Sequence, residues 1–199
     1  MNILVASVVV SLLAGCHSPF IADSNREFHA RPSGSDYPAS WPALADVPDG
    51  ACPNVKGIWG NDGGHSFSKE QDTNENRQFR QLSFALTRIP TAPSSVVRTD
   101  LRGDQFTVEF TRPGFGDVKM QFRQGEHFVC KDGMLWFTPK VEKVRDGLGS
   151  IKDTLVVGLR RTAGDQLVGA KRSSDDAALF WVIPMGGAST VWYRWSAAQ

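Results

Sequence analysis

Residue types that often carry chemistry are few and scattered in this chain. No two of the four histidines have the spacing of a zinc motif, so each is predicted to be an ordinary surface residue: His17, His29, His65 and His127. The stretch Gly64-His65-Ser66-Phe67-Ser68 lacks the second glycine of a nucleophile elbow. The sequence shows no nucleophile–base set and no metal-ligand set. It therefore predicts a protein that is not an enzyme and that uses no metal or other cofactor.

Three cysteines are the other reactive residues, and the first of them ends an apolar run. Cys16 follows Leu12-Leu13-Ala14-Gly15, and the uncharged segment from Ile3 to Val10 comes before that. The apolar stretch is about half of the roughly 20 residues that span a bilayer, which favours a signal-peptide core over a transmembrane helix. A buried N-terminal strand is the alternative, since residues 8–10 are β-branched valines.

The residues around Cys16 resemble the lipobox of bacterial lipoproteins, although residues 2–15 contain no Lys or Arg. The resemblance implies that residues 1–15 are a signal peptide and that Cys16 carries a diacylglyceryl thioether and an amide-linked acyl chain. Several acyl chains hold a protein at a membrane stably, whereas one chain does so only marginally. His17 takes the place where an Asp favours inner-membrane retention in enteric-type lipoproteins. The outer membrane is therefore expected, with the domain in the periplasm or at the cell surface.

The other two cysteines are predicted to form a disulfide. If Cys16 is acylated, Cys52 and Cys130 are left as an even pair in an oxidising compartment. Such a bond would close a loop of roughly 80 residues, and the chain-entropy relation puts its stabilisation near 4 kcal/mol. Two unpaired thiols are the alternative. A metal site is disfavoured, because neither cysteine has a second Cys or His at ligand spacing.

The net charge of the chain restricts its possible partners, and the distribution of proline indicates a tether. The formal net charge of +1 gives no long-range field, so neither nucleic acid nor a polybasic membrane contact is expected. Residues 16–50 carry five prolines among Ser, Asp and Gly, which predicts a disordered tether that begins at the lipidated cysteine. Tyr37 and Trp41 lie in this segment and are candidates for packing on the domain.

Residues 51–199 are predicted to form a single all-β domain, an antiparallel sandwich or a barrel-like fold, with one short helix. Short segments alternate between apolar and polar residues, as in Phe106-Thr107-Val108-Glu109-Phe110, and turn signals such as Lys131-Asp132-Gly133 separate them. The last two strands are predicted at 179–183 and 190–195, joined by a loop that contains Pro184. No internal repeat is visible.

The one predicted helix lies in the segment before Pro90. Phe79, Leu82 and Leu86 have helical spacing, and Ser68 with Gln71 could form a capping box. An alternating strand through Leu82, Phe84 and Leu86 is the competing interpretation.

The tryptophans suggest a second resemblance. Gly57-Ile58-Trp59 at the first predicted strand is similar to the Gly-x-Trp motif of lipocalins. In that family a late-strand arginine packs over the tryptophan, and Arg194 within Trp192-Tyr193-Arg194-Trp195 would take this place. The resemblance implies a carrier that holds an apolar ligand among its tryptophans, which include Trp136, Trp181, Trp192 and Trp195. Ordinary core packing of a β domain is the alternative.

A broader likeness is to an uncharacterised family of proteobacterial lipoproteins. These proteins combine a lipobox with a Cys-Pro-x-x-x-Gly-x-aromatic entry, a Cys-x-Asp-Gly-x-Leu hairpin and a late Trp-Tyr-Arg-aromatic strand. In this chain the three motifs are residues 52–59, 130–135 and 192–195. The likeness implies an envelope lipoprotein and supports the pairing of Cys52 with Cys130, but it implies no activity.

Together these observations predict a non-enzymatic, lipid-anchored cell-envelope protein. It would touch the membrane through its lipid and would act by binding a protein or cell-wall partner. A lipocalin-like carrier and an inhibitor of a hydrolase are the two alternatives.

Overall fold

The chain folds into two antiparallel β-sheets that enclose one core, which confirms the predicted all-β class. The computed structural model describes residues 36–66, 68–146, 149–179 and 183–198. Within them the strands are β1 (Gly57–Gly60), β2 (Gly64–His65), β3 (Val96–Arg102), β4 (Gln105–Arg112), β5 (Gly116–Arg123), β6 (Phe128–Lys131), β7 (Met134–Phe137), β8 (Lys140–Asp146), β9 (Gly149–Arg161), β10 (Leu167–Leu179) and β11 (Ile183–Trp195).

The small sheet has the strand order β1-β3-β4-β5. A two-residue turn at 103–104 joins β3 to β4, and a three-residue turn at 113–115 joins β4 to β5. Phe106, Val108 and Phe110 point into the core and are buried, while the residues between them face outward. The predicted alternation of this strand is therefore confirmed, because successive side chains of a strand point to opposite faces.

The large sheet has the strand order β2-β11-β10-β9-β7-β6, and β8 also pairs with β9. The hairpin between β6 and β7 turns on Asp132 and Gly133, which have φ angles of 53° and 71°. Positive φ at both central residues is what a type I′ turn requires, and Asp-Gly tolerates it well. The hairpin predicted from this dipeptide is confirmed.

The predicted loop around Pro184 is wrong, because β11 runs without a break from Ile183 to Trp195. Pro184 lies opposite Ala178 of β10, and the short strand β2 reaches only Tyr193 and Arg194 on the other side of β11. At Pro184, therefore, β11 has one partner strand among the described residues. A proline is tolerated on such an edge, where its missing N–H costs no ladder hydrogen bond.

Helices follow β2 in the segment where the sequence predicted one. A short 3-10 helix (Lys69–Gln71) carries the predicted capping box, and helix α1 (Asn74–Phe79) is capped by the Thr73 side chain. A second helix, α2, follows at Leu82–Thr87. The single predicted helix is thus two helices, and the competing strand is not formed. Phe79, Leu82, Ala85 and Leu86 are buried against the sheets.

The C-terminal part of the predicted tether is packed on the domain. Within 36–50, Leu44 forms a β-bridge with Thr162, and the Ala45 N–H donates to the Arg161 carbonyl at 2.9 Å. Residues 36–50 therefore belong to the packed unit, although the sequence predicted that they form part of a disordered tether. The predicted signal peptide (1–15), Cys16, the rest of the tether, the first two histidines and Trp181 lie outside the described residues.

Candidate functional site

A disulfide joins Cys52 to Cys130, as the sequence predicted, with their Cα atoms 4.9 Å apart. Cys52 precedes β1 of the small sheet, whereas Cys130 belongs to β6 of the large sheet. Both cysteines pack against the core that lies between the two sheets. The bond therefore ties the entry of the domain to the second sheet.

The predicted contact between Trp59 and Arg194 is wrong. Trp59 is fully buried, its indole N–H donates to Thr99 Oγ1 at 2.8 Å, and the guanidinium over its ring, at 5.3 Å, belongs to Arg161. Arg194 lies instead 4.9 Å over the ring of Trp41. The reason is strand alternation, because Tyr193 and Trp195 enter the core and Arg194 must then leave on the opposite face.

That opposite face of the large sheet carries a second aromatic cluster, formed by Trp136 and Trp192 together with Met134, Val156 and Ala170. Tyr37 packs edge-on against Trp192 and Trp41, with ring centroids 5.0 and 5.9 Å apart. The segment 36–45 thus covers these rings with protein. Burial raises the pKa of the Tyr37 phenol, with Arg194 opposing the shift. Of the tryptophans that a carrier would place around a ligand, Trp136, Trp192 and Trp195 are packed against side chains of this chain.

A cleft of about 400 Å³ separates the two helices from the large sheet, and Lys171 lies buried at its floor. The Lys171 ammonium donates to Asn76 Oδ1 at 2.8 Å and pairs with Glu75 at 2.9 Å. Its nitrogen also lies 4.7 Å from the centre of the Phe79 ring, and the Arg88 guanidinium lies 4.3 Å from that centre. The cleft walls carry further charges of both signs, from Lys140, Glu142 and Asp153.

The surroundings of Lys171 indicate a structural role and not a catalytic one. Burial lowers the pKa of Lys171, and the nearby Glu75 carboxylate opposes this shift. A lysine with a lowered pKa can act as a base or a nucleophile. Here, however, an amide oxygen, a carboxylate and an aromatic face surround the ammonium group. This arrangement holds helix α1 on strand β10, and nothing in the sequence pattern distinguishes Lys171 beforehand.

The two described histidines lie apart from this cleft. His65 is exposed in β2, and the Nδ1 of His127 accepts a hydrogen bond from the Arg123 N–H at 3.2 Å. Among the described residues, no group of three or more His, Cys, Asp or Glu side chains is placed to share a metal ion.

The outward surface of the small sheet, which we name the small-sheet face, combines charged and apolar residues. Its residues are Ile58 of β1, the even-numbered residues 96–102 of β3, and the odd-numbered residues 105–111 of β4 and 117–123 of β5. Lys119 pairs with Glu109 at 2.7 Å across the strands, and Arg102 pairs with Asp100 at 2.7 Å. The arginine and the lysine of these two pairs are exposed to solvent, so each pair contributes at most about 1 kcal/mol.

One end of the small-sheet face is apolar. Ile58 and Val96 are 41% and 49% exposed, and they line an open groove of about 460 Å³. Beyond the groove, the β4–β5 turn presents Phe115 at 76% exposure, with the Arg112 guanidinium 4.2 Å from its ring centre. Phe115 is the most exposed large apolar side chain among the described residues. No alternating pattern marks Phe115 in the sequence, and only its place after Pro113-Gly114 in a turn distinguishes it.

No protein-family model matches the chain, and the search of curated proteins finds no match. In the described part of the chain, no helix has both the length and the apolar character that crossing a membrane would need.

Proposed function

We propose that this protein is a non-enzymatic, lipid-anchored component of the bacterial cell envelope that acts by binding. Its partner would be a protein or a cell-wall component, and the binding surface would be the apolar end of the small-sheet face. The observation that carries the proposal is Phe115, which is held out on a tight turn with 76% of its surface exposed.

The surroundings of Phe115 support a binding role. Aromatic and arginine side chains dominate the energetics of many protein interfaces. Arg112 stacks on Phe115, and the exposed Ile58 and Val96 belong to strands of the same small sheet. Singly exposed apolar residues are common, whereas several on one sheet favour an interaction site.

The charges of this surface indicate the chemistry of the partner. Neither Arg98 nor Arg112 forms an ion pair with any described residue, whereas Lys119 is paired with Glu109. The small sheet therefore offers two cations without an ionic partner in the described part of the chain, Arg98 beside the apolar groove and Arg112 beside Phe115. An acidic group flanked by apolar or aromatic groups fits it best, and we favour a protein segment of that kind.

The anchor would hold this surface near the membrane. In this proposal Cys16 carries the lipid, the chain that follows leads to the docked segment 36–50, and the disulfide between Cys52 and Cys130 fits an oxidising compartment. The packing of the tryptophans does not support the alternative of a lipocalin-like carrier. An inhibitor of a hydrolase is a special case of partner binding.

Photo-crosslinking at Phe115 in the producing bacterium tests the proposed surface. We expect p-benzoylphenylalanine at position 115 to give a discrete adduct under ultraviolet light. The matched control is position 141, because Val141 is also an exposed apolar residue, at 39%, but lies on β8 of the large sheet. Arg98→Glu should reduce the yield of the adduct. Lys131→Glu should not, because Lys131 is an exposed residue on β6, away from this surface. Equal labelling at positions 115 and 141 would refute the proposed surface.

A further inference from the structure

The outer edge of strand β5 has no partner strand in the described part of the chain. The turn at 103–104 makes Arg102 and Gln105 a hydrogen-bonded pair, because a two-residue hairpin loop closes in this way. The hydrogen-bonding direction alternates along each strand. The even-numbered residues of β5 therefore bond to β4, and Asp117, Lys119 and Gln121 direct their N–H and C=O groups away from the sheet.

This edge has fewer of the features that protect edge strands against pairing than strand β8 has. Edge strands are protected by proline, by inward-pointing charges or by dense surface charge. Strand β8, another edge of the fold, carries a charge at five of its seven positions. By contrast, Val118, Met120 and Phe122 of β5 point inward, uncharged and only half-buried. Lys119 is paired with Glu109, so its ammonium group is directed towards the small-sheet face.

We propose that β5 pairs with β5 of a second copy of this chain. The pairing would be antiparallel across a twofold axis at Met120, so that two small sheets join into one continuous sheet. The inference goes beyond the proposed function, since it concerns the edge of the sheet and a different partner.

Charge complementarity selects this register. With the axis at Met120, Asp117 lies opposite Arg123 of the second copy, twice, and Lys119 lies opposite the uncharged Gln121. An axis at position 119 would place Lys119 against itself, and one at position 121 would place Lys119 against Arg123. Oppositely charged cross-strand pairs stabilise a sheet and like charges destabilise it.

One competing register remains, and the apolar pairs on the inner face decide against it. An axis at Val118 would also place opposite charges together, Asp117 against Lys119, and would form as many backbone hydrogen bonds, but it would place Met120 against Gly116. The axis at Met120 instead brings Val118 against Phe122, twice, and Met120 against Met120 of the second copy on the inner face, where these side chains are half-buried.

The hydrogen bonds of the interface can be counted. The backbone groups of Arg123 are already used, because its N–H donates to His127 Nδ1 and its carbonyl accepts from the His127 N–H. The backbones of Lys119 and Gln121 make no such turn contact. They would form two reciprocal pairs across the axis, each with two N–H···O bonds, whereas Asp117 and Arg123 would meet through their side chains.

Cysteine crosslinking of the full-length chain in detergent solution tests this pairing. In a non-hydrogen-bonded antiparallel pair the Cα atoms are about 4.5 Å apart, within reach of a disulfide. We therefore expect Met120→Cys to give a disulfide-linked dimer under mild oxidation. Thr107→Cys is the matched control, because Thr107 lies one strand inside the edge and should not crosslink.

A charge exchange separates this dimer from random contact. Arg123→Glu in the Met120→Cys background would oppose Asp117 of the second copy and should reduce crosslinking by about tenfold or more. Asp117→Arg combined with Arg123→Asp should restore it. Crosslinking of Met120→Cys at the level of Thr107→Cys, or crosslinking that ignores the charge reversal, would overturn the proposal.

A second variant tests the proposal even if the Met120→Cys chain fails to fold. Gln121→Pro removes an N–H that points away from β4, so the monomer keeps its ladder while the interface loses two of its four bonds. The dissociation constant of the dimer, measured by sedimentation, should rise about 30-fold, and Gln121→Ala should change it little. A wild-type chain that sediments as a monomer would overturn the proposal, whether the edge is bare or covered by another segment. This result would not bear on the binding surface proposed around Phe115.

Discussion

Removal of the disulfide is the perturbation whose cost can be worked out most fully from the structure. Cys52 and Cys130 are separated by 78 positions in sequence. A crosslink over a loop of this length lowers the entropy of the unfolded chain, and the chain-entropy relation gives about 4.5 kcal/mol at 25 °C. Domains are stable by only about 5–15 kcal/mol in total, so the bond supplies a large share.

The change to make is the double substitution Cys52→Ala with Cys130→Ala. For a chain of this size, each kcal/mol moves the melting temperature by roughly 2–4 °C, so we expect a fall of about 9–18 °C. Urea unfolding followed by fluorescence measures the free energy of unfolding, since the chain has six tryptophans. Reduction of the wild-type protein is the control, and it should produce nearly the same loss. A loss below about 1 kcal/mol, or no effect of reduction, would show that the disulfide does not stabilise the fold in this way.

Three further predictions follow from burial. The pKa values of Tyr37 and Tyr193, the two tyrosines, are raised above 10 because both phenols are desolvated. The tyrosines of the unfolded chain ionise near pH 10, whereas those of the folded chain remain neutral there. Their contribution to the free energy of unfolding is therefore complete below pH 10 and is lost as the pH rises above it. A near-ultraviolet phenolate titration of the native protein should show no step at pH 10. Phe106→Ala should cost about 3–5 kcal/mol in urea unfolding, because the ring is fully buried, whereas Phe115→Ser should change stability by less than about 0.5 kcal/mol. Trp41→Ala removes the contacts with Tyr37 and Arg194 and should make residues 36–50 cleavable by limited proteolysis, while wild-type protein resists.

Local patterns in the sequence predicted much of the fold. Alternation around Phe106 identified β4, since an amphipathic strand must bury one side. The dipeptide Asp132-Gly133 identified its hairpin, because few residues accept two positive φ angles in succession. The pairing of Cys52 with Cys130 followed from an even count once Cys16 was assigned to the lipid.

The features that were missed depend on tertiary context. The side to which Arg194 points follows from the burial of Tyr193 and Trp195, which the sequence alone does not reveal. The continuity of β11 through Pro184 depends on which side of that strand lacks a neighbour. Asn61 is a further feature that the sequence did not predict, and it is fully buried. Its side chain accepts from the Ser83 N–H at 2.8 Å and donates to the Ala92 carbonyl at 3.1 Å, so it joins the start of α2 to the loop before β3.

The candidate site was the hardest part to predict, for a physical reason. Binding residues such as Phe115 are exposed, so neither periodicity nor burial marks them, and only their position in a turn distinguishes them. Lys171 shows the opposite case, because a lysine in a strand pattern is expected at the surface, whereas Lys171 is buried and its ammonium group contacts a carboxylate and an amide oxygen.

We propose a lipid-anchored envelope protein whose binding domain is held together by a disulfide, and intact mass spectrometry of the membrane-extracted protein, with and without reduction and alkylation, examines all of these features at once. We expect loss of residues 1–15, a gain of acyl-chain mass on Cys16, and alkylation of Cys52 and Cys130 only after reduction. A chain that retains Met1 and carries three freely alkylated thiols would refute the proposal.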